Sequence, residues 1–261
     1  MMESLKLIRI NSSGPMVTNW QFFLIGQHLY EGEADGIFSQ EVQLATMAFQ
    51  RKHDLQPDGV VGNKTYGVAM QLGFDGIVDD RDDKSGPDFP KPPAFKPLVS
   101  NDERAAVFGR FSYESHPLPG NAENIRITDD WISRNIVMLS IPQLTNIKGS
   151  DRVQFHRKAG DQLVRLWQDW ENAGLLPLIL TWGGSFVPRF IRGSRKTLSN
   201  HSFGSAFDIN VAWNPLGAMP PLVGQKGSVR ELVQIANGNG FYWGGHFTRK
   251  DGMHFEIAQI K

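Results

Sequence analysis

Seven histidines are spread over this 261-residue chain, and two of them, His201 and His254, stand with a carboxylate in stretches whose spacing could do chemistry. In "SNHSFGSAFDIN", residues 199–210, His201 precedes Asp208 by seven positions, with small residues between them. In "DGMHFE", residues 251–256, Asp251 stands three residues before His254. Two imidazoles and a carboxylate could clamp a metal ion, or they could be hydrogen-bonded turn residues at the entrance to strands. Nitrogen and oxygen donors in a set of three suit zinc, whose catalytic sites keep a fourth position open for water. Zinc brings the pKa of that water down to about 7, and Asp251 could take its proton and return it to a leaving amine. The spacing by itself leaves clamp and turn both open.

Such residues need elements to hold them. "SAFDINVAW" (205–213) alternates, with Phe207, Ile209 and Val211 on one side and Asp208 and Asn210 on the other. "MHFEIAQI" (253–260) turns His254 and Glu256 one way and Phe255 and Ile257 the other. Two such strands, antiparallel, would bring Asp208 and His254 onto one sheet face, with His201 at the turn before. Residues 157–174 predict a helix with Ala159, Leu163, Leu166, Trp167 and Trp170 on or near one face and Gly174 as its stop. Residues 176–186 read as a buried apolar strand and 228–240 as a helix ending in a Gly-rich turn. Helices interspersed with strands predict an α+β domain around an antiparallel sheet.

The N-terminal part is different in kind. "DGIFSQEV" (35–42) is echoed by "DGVVGNKT" (58–65), each an Asp-Gly turn, an apolar pair and a helix start. Ser39 and Asn63 are suitable N-caps. Val17, Trp20, Gln21 and Leu24 share one helical face, and Val42, Ala45, Thr46 and Phe49 another. About three short helices fit the first 74 residues. His28 and His53 have no metal-spaced partners there, which points to binding rather than catalysis. Next comes an acidic run and then Pro87, Pro90, Pro92, Pro93 and Pro97, a composition that favours extended chain. The expected organisation is a small helical domain over 1–74, a linker over 75–101 and an α+β domain over 102–261.

Bulk composition narrows the partners. Lys plus Arg and Asp plus Glu are both 27, so no net field draws the chain to nucleic acid or an anionic membrane. Cysteine is absent, which removes disulfides, thiolate metal ligands and a cysteine nucleophile. The first residues lack the apolar core of a signal peptide, and no apolar run reaches the ~18 residues of a membrane span. The expectation is a monomer made in the cytoplasm, with no membrane insertion, that reaches any external target by release or dedicated export.

Two resemblances give these patterns a meaning. Phe49, Gln50, Leu55, Asp58, Gly59, Gly62 and Thr65 sit where the peptidoglycan-binding repeat domain of wall hydrolases has its pattern, although Tyr66 replaces the usual Trp. Ser199, His201, Gly204, Ala206, Asp208, Asp251 and His254 resemble the zinc D,D-carboxypeptidase and L-alanyl-D-glutamate endopeptidase family of peptidoglycan peptidases. That second likeness implies zinc held by His201, Asp208 and His254, with Asp251 as catalytic base where several members carry Glu. It also implies an arginine that steadies oxyanion charge or holds a substrate carboxylate. Arg189 is the preferred candidate over Arg192, with Arg195 a surface residue. Arg192, Ser199 and His246 are candidate substrate contacts, although His246 could instead pack against Trp243 and Phe247. His116 and His156 are expected to be structural or exposed, and Trp182, Trp213 and Trp243 to build core.

The implied activity is cleavage of a stem-peptide bond in peptidoglycan, as in endolysins. An internal L-Ala–D-Glu bond is favoured, because trimming a terminal D-Ala would not open the mesh. D-Ala–D-Ala carboxypeptidase activity is the alternative, and a non-catalytic zinc-stabilised wall-binding protein is the rival from another class.

Overall fold

The computed structural model describes residues 6–74 and 88–261; the acidic half of the expected linker, residues 75–87, lies outside them. The fold is α+β, with a helical unit followed by a unit built on antiparallel sheet. Among the described residues no helix is long and apolar enough to cross a membrane.

Three helices make the first unit: α1 (Pro15–Gly26), α2 (Gln40–Lys52) and α3 (Asn63–Gln71). Their apolar faces are the ones the periodicity requires, with Val17, Trp20, Leu24, Val42 and Phe49 fully buried. Trp20 is the hub, its ring 5.3 Å from Phe23, 5.5 Å from Phe49 and 5.4 Å from Phe74. Burying each such side chain contributes about 1.5–3 kcal/mol before chain entropy is counted. Ser39 caps α2 by accepting from the Val42 N–H. Asn63 does not cap α3: it is the first helical residue, behind Gly62. The backbone pairing of Val61 with Ile8 brings the chain in extended up to Gly62, which leaves Asn63 exposed inside the helix.

The sequence echo is a structural one. Gln21 donates to Asp35 Oδ1 at 2.7 Å and accepts from the Gly36 N–H at 2.8 Å. Gln50 repeats both bonds with Asp58 and Gly59, each at 2.9 Å. Gly36 and Gly59 take positive φ (78° and 70°), which a side chain would strain.

The second unit contains α4 (Asn101–Phe108), β1 (Tyr113–Ser115), β2 (Ile125–Ile127), α5 (Trp131–Asn135), β3 (Ile136–Ser140), α6 (Thr145–Lys148) and β4 (Arg152–His156). It continues with α7 (Gly160–Asn172), β5 (Trp182–Gly184), β6 (Ala206–Ile209), α8 (Arg230–Gly238), β7 (Phe241–Trp243) and β8 (His254–Ile257). The main sheet has strand order β5-β6-β8-β7, antiparallel throughout. On its core face Phe207 stacks on Phe255 at 5.5 Å, and Trp170 of α7 packs edge-on against both. The buried face of α7 is the predicted one, and Trp170 Nε1 donates to the Leu232 carbonyl of α8.

Three strands are shorter than their patterns suggest, β8 among them at His254–Ile257, and two of them, β5 and β6, are shortened by the same residue. Asn210 adopts positive φ (53°) and ends β6 at Ile209, ahead of a 3-10 turn over Val211–Trp213. Its side-chain oxygen accepts from the Leu180 and Thr181 N–H groups at 2.7 and 3.2 Å. Those amides are thereby diverted from any sheet ladder. Of 176–186, residues Leu176–Leu178 form a 3-10 turn and Trp182–Gly184 the strand.

Residues 88–100 carry no helix or strand, yet they lie on the second unit. Phe89 rests on Trp243 at 5.3 Å, and the Lys91 carbonyl accepts from Asn237. Ser100 and Glu103 form a capping box that starts α4. Packed structure therefore begins inside the segment expected to be linker.

Candidate metal centre and catalytic cleft

The site begins with register. Asp208 of β6 lies directly opposite His254 of β8, and Ala206 lies opposite Glu256. Alternation sends Phe207 and Phe255 into the core, so Asp208, His254 and Glu256 share the other face. His201 arrives from a 3-10 turn (Asn200–Phe203) that Ser199 caps by accepting from the His201 N–H. Gly204 ends that turn at φ 61°, and a Cβ there would stand 2.6 Å from Ile136 Cδ1. Both the handedness of the bend and the lack of room call for glycine.

Three atoms converge. His201 Nε2 is 3.1 Å from Asp208 Oδ1 and 3.2 Å from His254 Nδ1, and the last two are 3.0 Å apart. Each imidazole has its outer nitrogen fixed. His201 Nδ1 is 2.7 Å from the Ser185 carbonyl, and His254 Nε2 is 2.9 Å from Glu256 Oε2. A carbonyl and a carboxylate can only accept, so both outer nitrogens carry the proton. The inner nitrogens then face each other and a carboxylate oxygen, with a proton or a cation needed between them. Such a triangle is stable only around positive charge.

A divalent cation fits that hole. Donors on a triangle of about 3.1 Å edge lie roughly 1.8 Å from its centre, close to the 2.0–2.2 Å of zinc–nitrogen and zinc–oxygen bonds. Fixing each ligand's far nitrogen by a carbonyl or carboxylate is the usual outer support of such a site. His201, Asp208 and His254 are the potential metal-holding group found among the described residues.

The electrostatics agree with this geometry. Burial pushes the Asp208 carboxyl up, but His201 and His254 outweigh it and hold it well below the ordinary carboxylate range. Burial would lower the His254 imidazole, but hydrogen bonds to Asp208 and Glu256 and the nearby Asp208 and Asp251 charges raise it to about 10. Asp251 moves the opposite way to Asp208. Burial and the Asp208 charge raise its pKa, against the pull of His254, Arg249 and Arg189. Its Oδ1 is buried without a hydrogen-bond partner in the protein. Two neighbouring carboxylates are thus pushed apart in acidity.

The other sequence candidates fall in different places. Arg189 is half-buried, lines the same cleft as Asp208 and Asp251, and donates to the Phe190 carbonyl at 3.2 Å. Arg192 lines that cleft too, but buried Glu123 neutralises it at 2.7 Å and Asn121 binds it at 2.9 Å. Ser199 is buried, and its hydroxyl is occupied with the turn that carries His201. His246 lines neither cleft that reaches the triad. It packs edge-on against Trp243 at 5.2 Å and Phe89 at 5.5 Å, and burial lowers its pKa to about 4. His156 is buried and donates to the Phe108 carbonyl, and Trp243 is core. Trp213 is half-buried and lines the cleft beside Asp208.

Two contributors were not singled out from sequence. Glu256 is bonded to His254 and, at 2.5 Å, to Asn200. The signal for it was present, because it stands two residues after His254 on the same strand face. Arg249 sits near Asp251, donates to the Arg192 carbonyl at 2.8 Å and is lowered to about 10, chiefly by burial. No spacing rule marks it.

Comparison with known proteins falls on the same two regions. A family model described as D-alanyl-D-alanine carboxypeptidase, of the M15 peptidase class, matches residues 192–257. One described as a peptidoglycan binding domain matches residues 13–68. The similarity is therefore modular, to a peptidoglycan-binding domain over 13–68 and to an M15-type peptidase domain over 192–257. A crystal structure described as the SleB N-terminal domain is similar at 32% identity, covering 26% of this chain and 93% of that one, with a TM-score of 0.26. No curated protein matches the chain.

Proposed function

We propose that the protein is a zinc-dependent peptidoglycan peptidase that cuts an internal bond of the stem peptide, with L-Ala–D-Glu as the favoured bond, and that it acts on the wall after release or export. The observation that carries this reading is the convergence of His201 Nε2, Asp208 Oδ1 and His254 Nδ1 beside a buried carboxylate, Asp251, whose Oδ1 has no protein partner. Zinc held by the three would polarise the scissile carbonyl and make water acidic enough to lose a proton near neutral pH.

The chain's own residues supply the rest. Asp251, with its acidity weakened by burial, takes the proton of the attacking water and passes it to the leaving amine. Arg189 brings positive charge to the same cleft, where it stabilises the developing oxyanion or a substrate carboxylate. Arg192 is held in its ion pair with Glu123 and shapes the cleft wall. Glu256 and the Ser185 carbonyl keep both imidazoles in the tautomer that presents the correct nitrogen.

Cleavage of the terminal D-Ala–D-Ala bond is the second reading, favoured by the description of the family model over 192–257. Mass spectrometry of muropeptides from a digest separates the two. New L-Ala carboxyl and D-Glu amino ends support the first reading, and loss of one terminal D-Ala supports the second.

A further inference from the structure

A linker was expected to separate the helical unit from the sheet unit, but the helical unit docks beside the catalytic residues. The Met219 N–H donates to the Gly73 carbonyl at 3.1 Å, and the Ala34 N–H donates to the Gly193 carbonyl at 3.1 Å. Leu216, from the loop after β6, is buried in the core of the helical unit. Glycines on both sides make the approach possible. A Cβ on Gly26 would stand 2.2 Å from the Leu216 carbonyl oxygen, one on Gly73 2.7 Å from Ala218, and one on Gly193 3.1 Å from Phe22 and Ile25. The Phe22 ring covers the Arg249 guanidinium at 4.0 Å, and Arg249 is the residue beside Asp251.

A single cleft of about 810 Å³ runs along this seam. Arg189, Asp208 and Asp251 line one part of it. The C-terminal ends of α1 and α3 line another, through Gln27, His28, Met70 and Gln71. His28 and Gln71 are exposed and Gln27 and Met70 half-buried, so all four can meet a ligand. The cleft lies toward the upper end of the ~300–1,000 Å³ range of ligand pockets, more than a scissile dipeptide would fill.

We propose that the two units form one composite substrate site, in which the peptidase holds the stem peptide and the ends of α1 and α3 hold the sugar to which that peptide is attached. The side-chain amides of Gln27 and Gln71 and the imidazole of His28 can both donate and accept hydrogen bonds, which suits sugar hydroxyls and acetamido groups. This rests on the peptidoglycan reading above and deepens it: a bond next to the glycan, as L-Ala–D-Glu is, would place sugar at the second wall. The helical unit then sets specificity as well as location.

The test is calorimetric binding to the full-length zinc-loaded chain, with a disaccharide–tetrapeptide and the same tetrapeptide without sugar as probes. The variants are Gln27→Ala/Gln71→Ala and, separately, the wedge Gly26→Val, with thermal unfolding measured for each. The double variant is expected to bind the disaccharide–tetrapeptide about five- to tenfold more weakly, as loss of one or two hydrogen bonds implies, with its unfolding midpoint unchanged. The wedge variant, while still folded, is expected to weaken it further. Unchanged binding in the double variant would overturn the composite site and leave the helical unit a tether. Equal weakening for both probes would overturn the assignment of sugar to that wall. If wild type binds the probe but releases no amino groups from wall, the enzyme reading falls and the composite site stands.

Discussion

Two polar clusters, one in each unit, are built from similar parts to opposite ends. In the helical unit Asp35 and Asp58 each accept from a glutamine amide and from the backbone N–H two residues on. The glutamine oxygens accept from Gly36 and Gly59. In the sheet unit His201, Asp208 and His254 turn two inner nitrogens and a carboxylate oxygen toward one another, and Asp251 keeps an oxygen without a protein partner. The first cluster is complete in itself, and its work is to hold two turns. The second is satisfied only by positive charge at its centre, a proton or a cation. A closed polar network signals architecture, and a converging set of lone pairs signals a ligand.

Breaking one cluster should leave the other's property intact. His201→Ala should have the largest effect, loss of stoichiometric zinc and of wall-lytic activity by more than about 10³-fold, read by metal analysis and amino-group release. Asp251→Ala should keep zinc and lose about 10²–10⁴-fold in kcat, the range of a general acid–base. Glu256→Gln should weaken zinc affinity by about 10–100-fold in a chelator competition, because it supports His254 from behind. Gln50→Ala should leave zinc affinity unchanged and cost about 1–3 kcal/mol in denaturant unfolding, since it strips partners from Asp58, Gly59 and Thr65.

The smallest expected effect is in pH. The Val60 N–H and Gln50 hold the Asp58 carboxyl below its ordinary value. A depressed folded pKa contributes stability that is present above the unfolded value near 3.8 and lost as pH falls through the folded one. Asp58→Asn should flatten the acid side of the unfolding-midpoint curve below that value.

Much of this was legible in the residues. Alternation in 205–213 and 253–260 put Asp208 and His254 on one face, and β6 and β8 place them directly opposite. The paired Asp-Gly echoes marked the two turns of the helical unit. The lengths of β5 and β6 were hidden because a single side chain, Asn210, diverts backbone amides that an apolar pattern assigns to a ladder. Asn63 was misplaced as a cap because a distant pairing, Ile8 with Val61, fixes how the chain enters α3. For His246 the sequence leaves substrate contact and packing on Trp243 both open; the structure packs it on Trp243 and on Phe89, the second a contact that no local pattern marks. Docking of the two units likewise depends on glycines far apart in the chain.

The proposed chemistry separates two roles: the triad holds the metal, and Asp251 moves the proton. It is tested most directly by measuring zinc content and amino-group release from purified peptidoglycan, side by side, for wild type and Asp251→Ala. The expected result is one zinc per chain in both and release by wild type alone. Zinc in both with release by neither, or equal release by both, would contradict it.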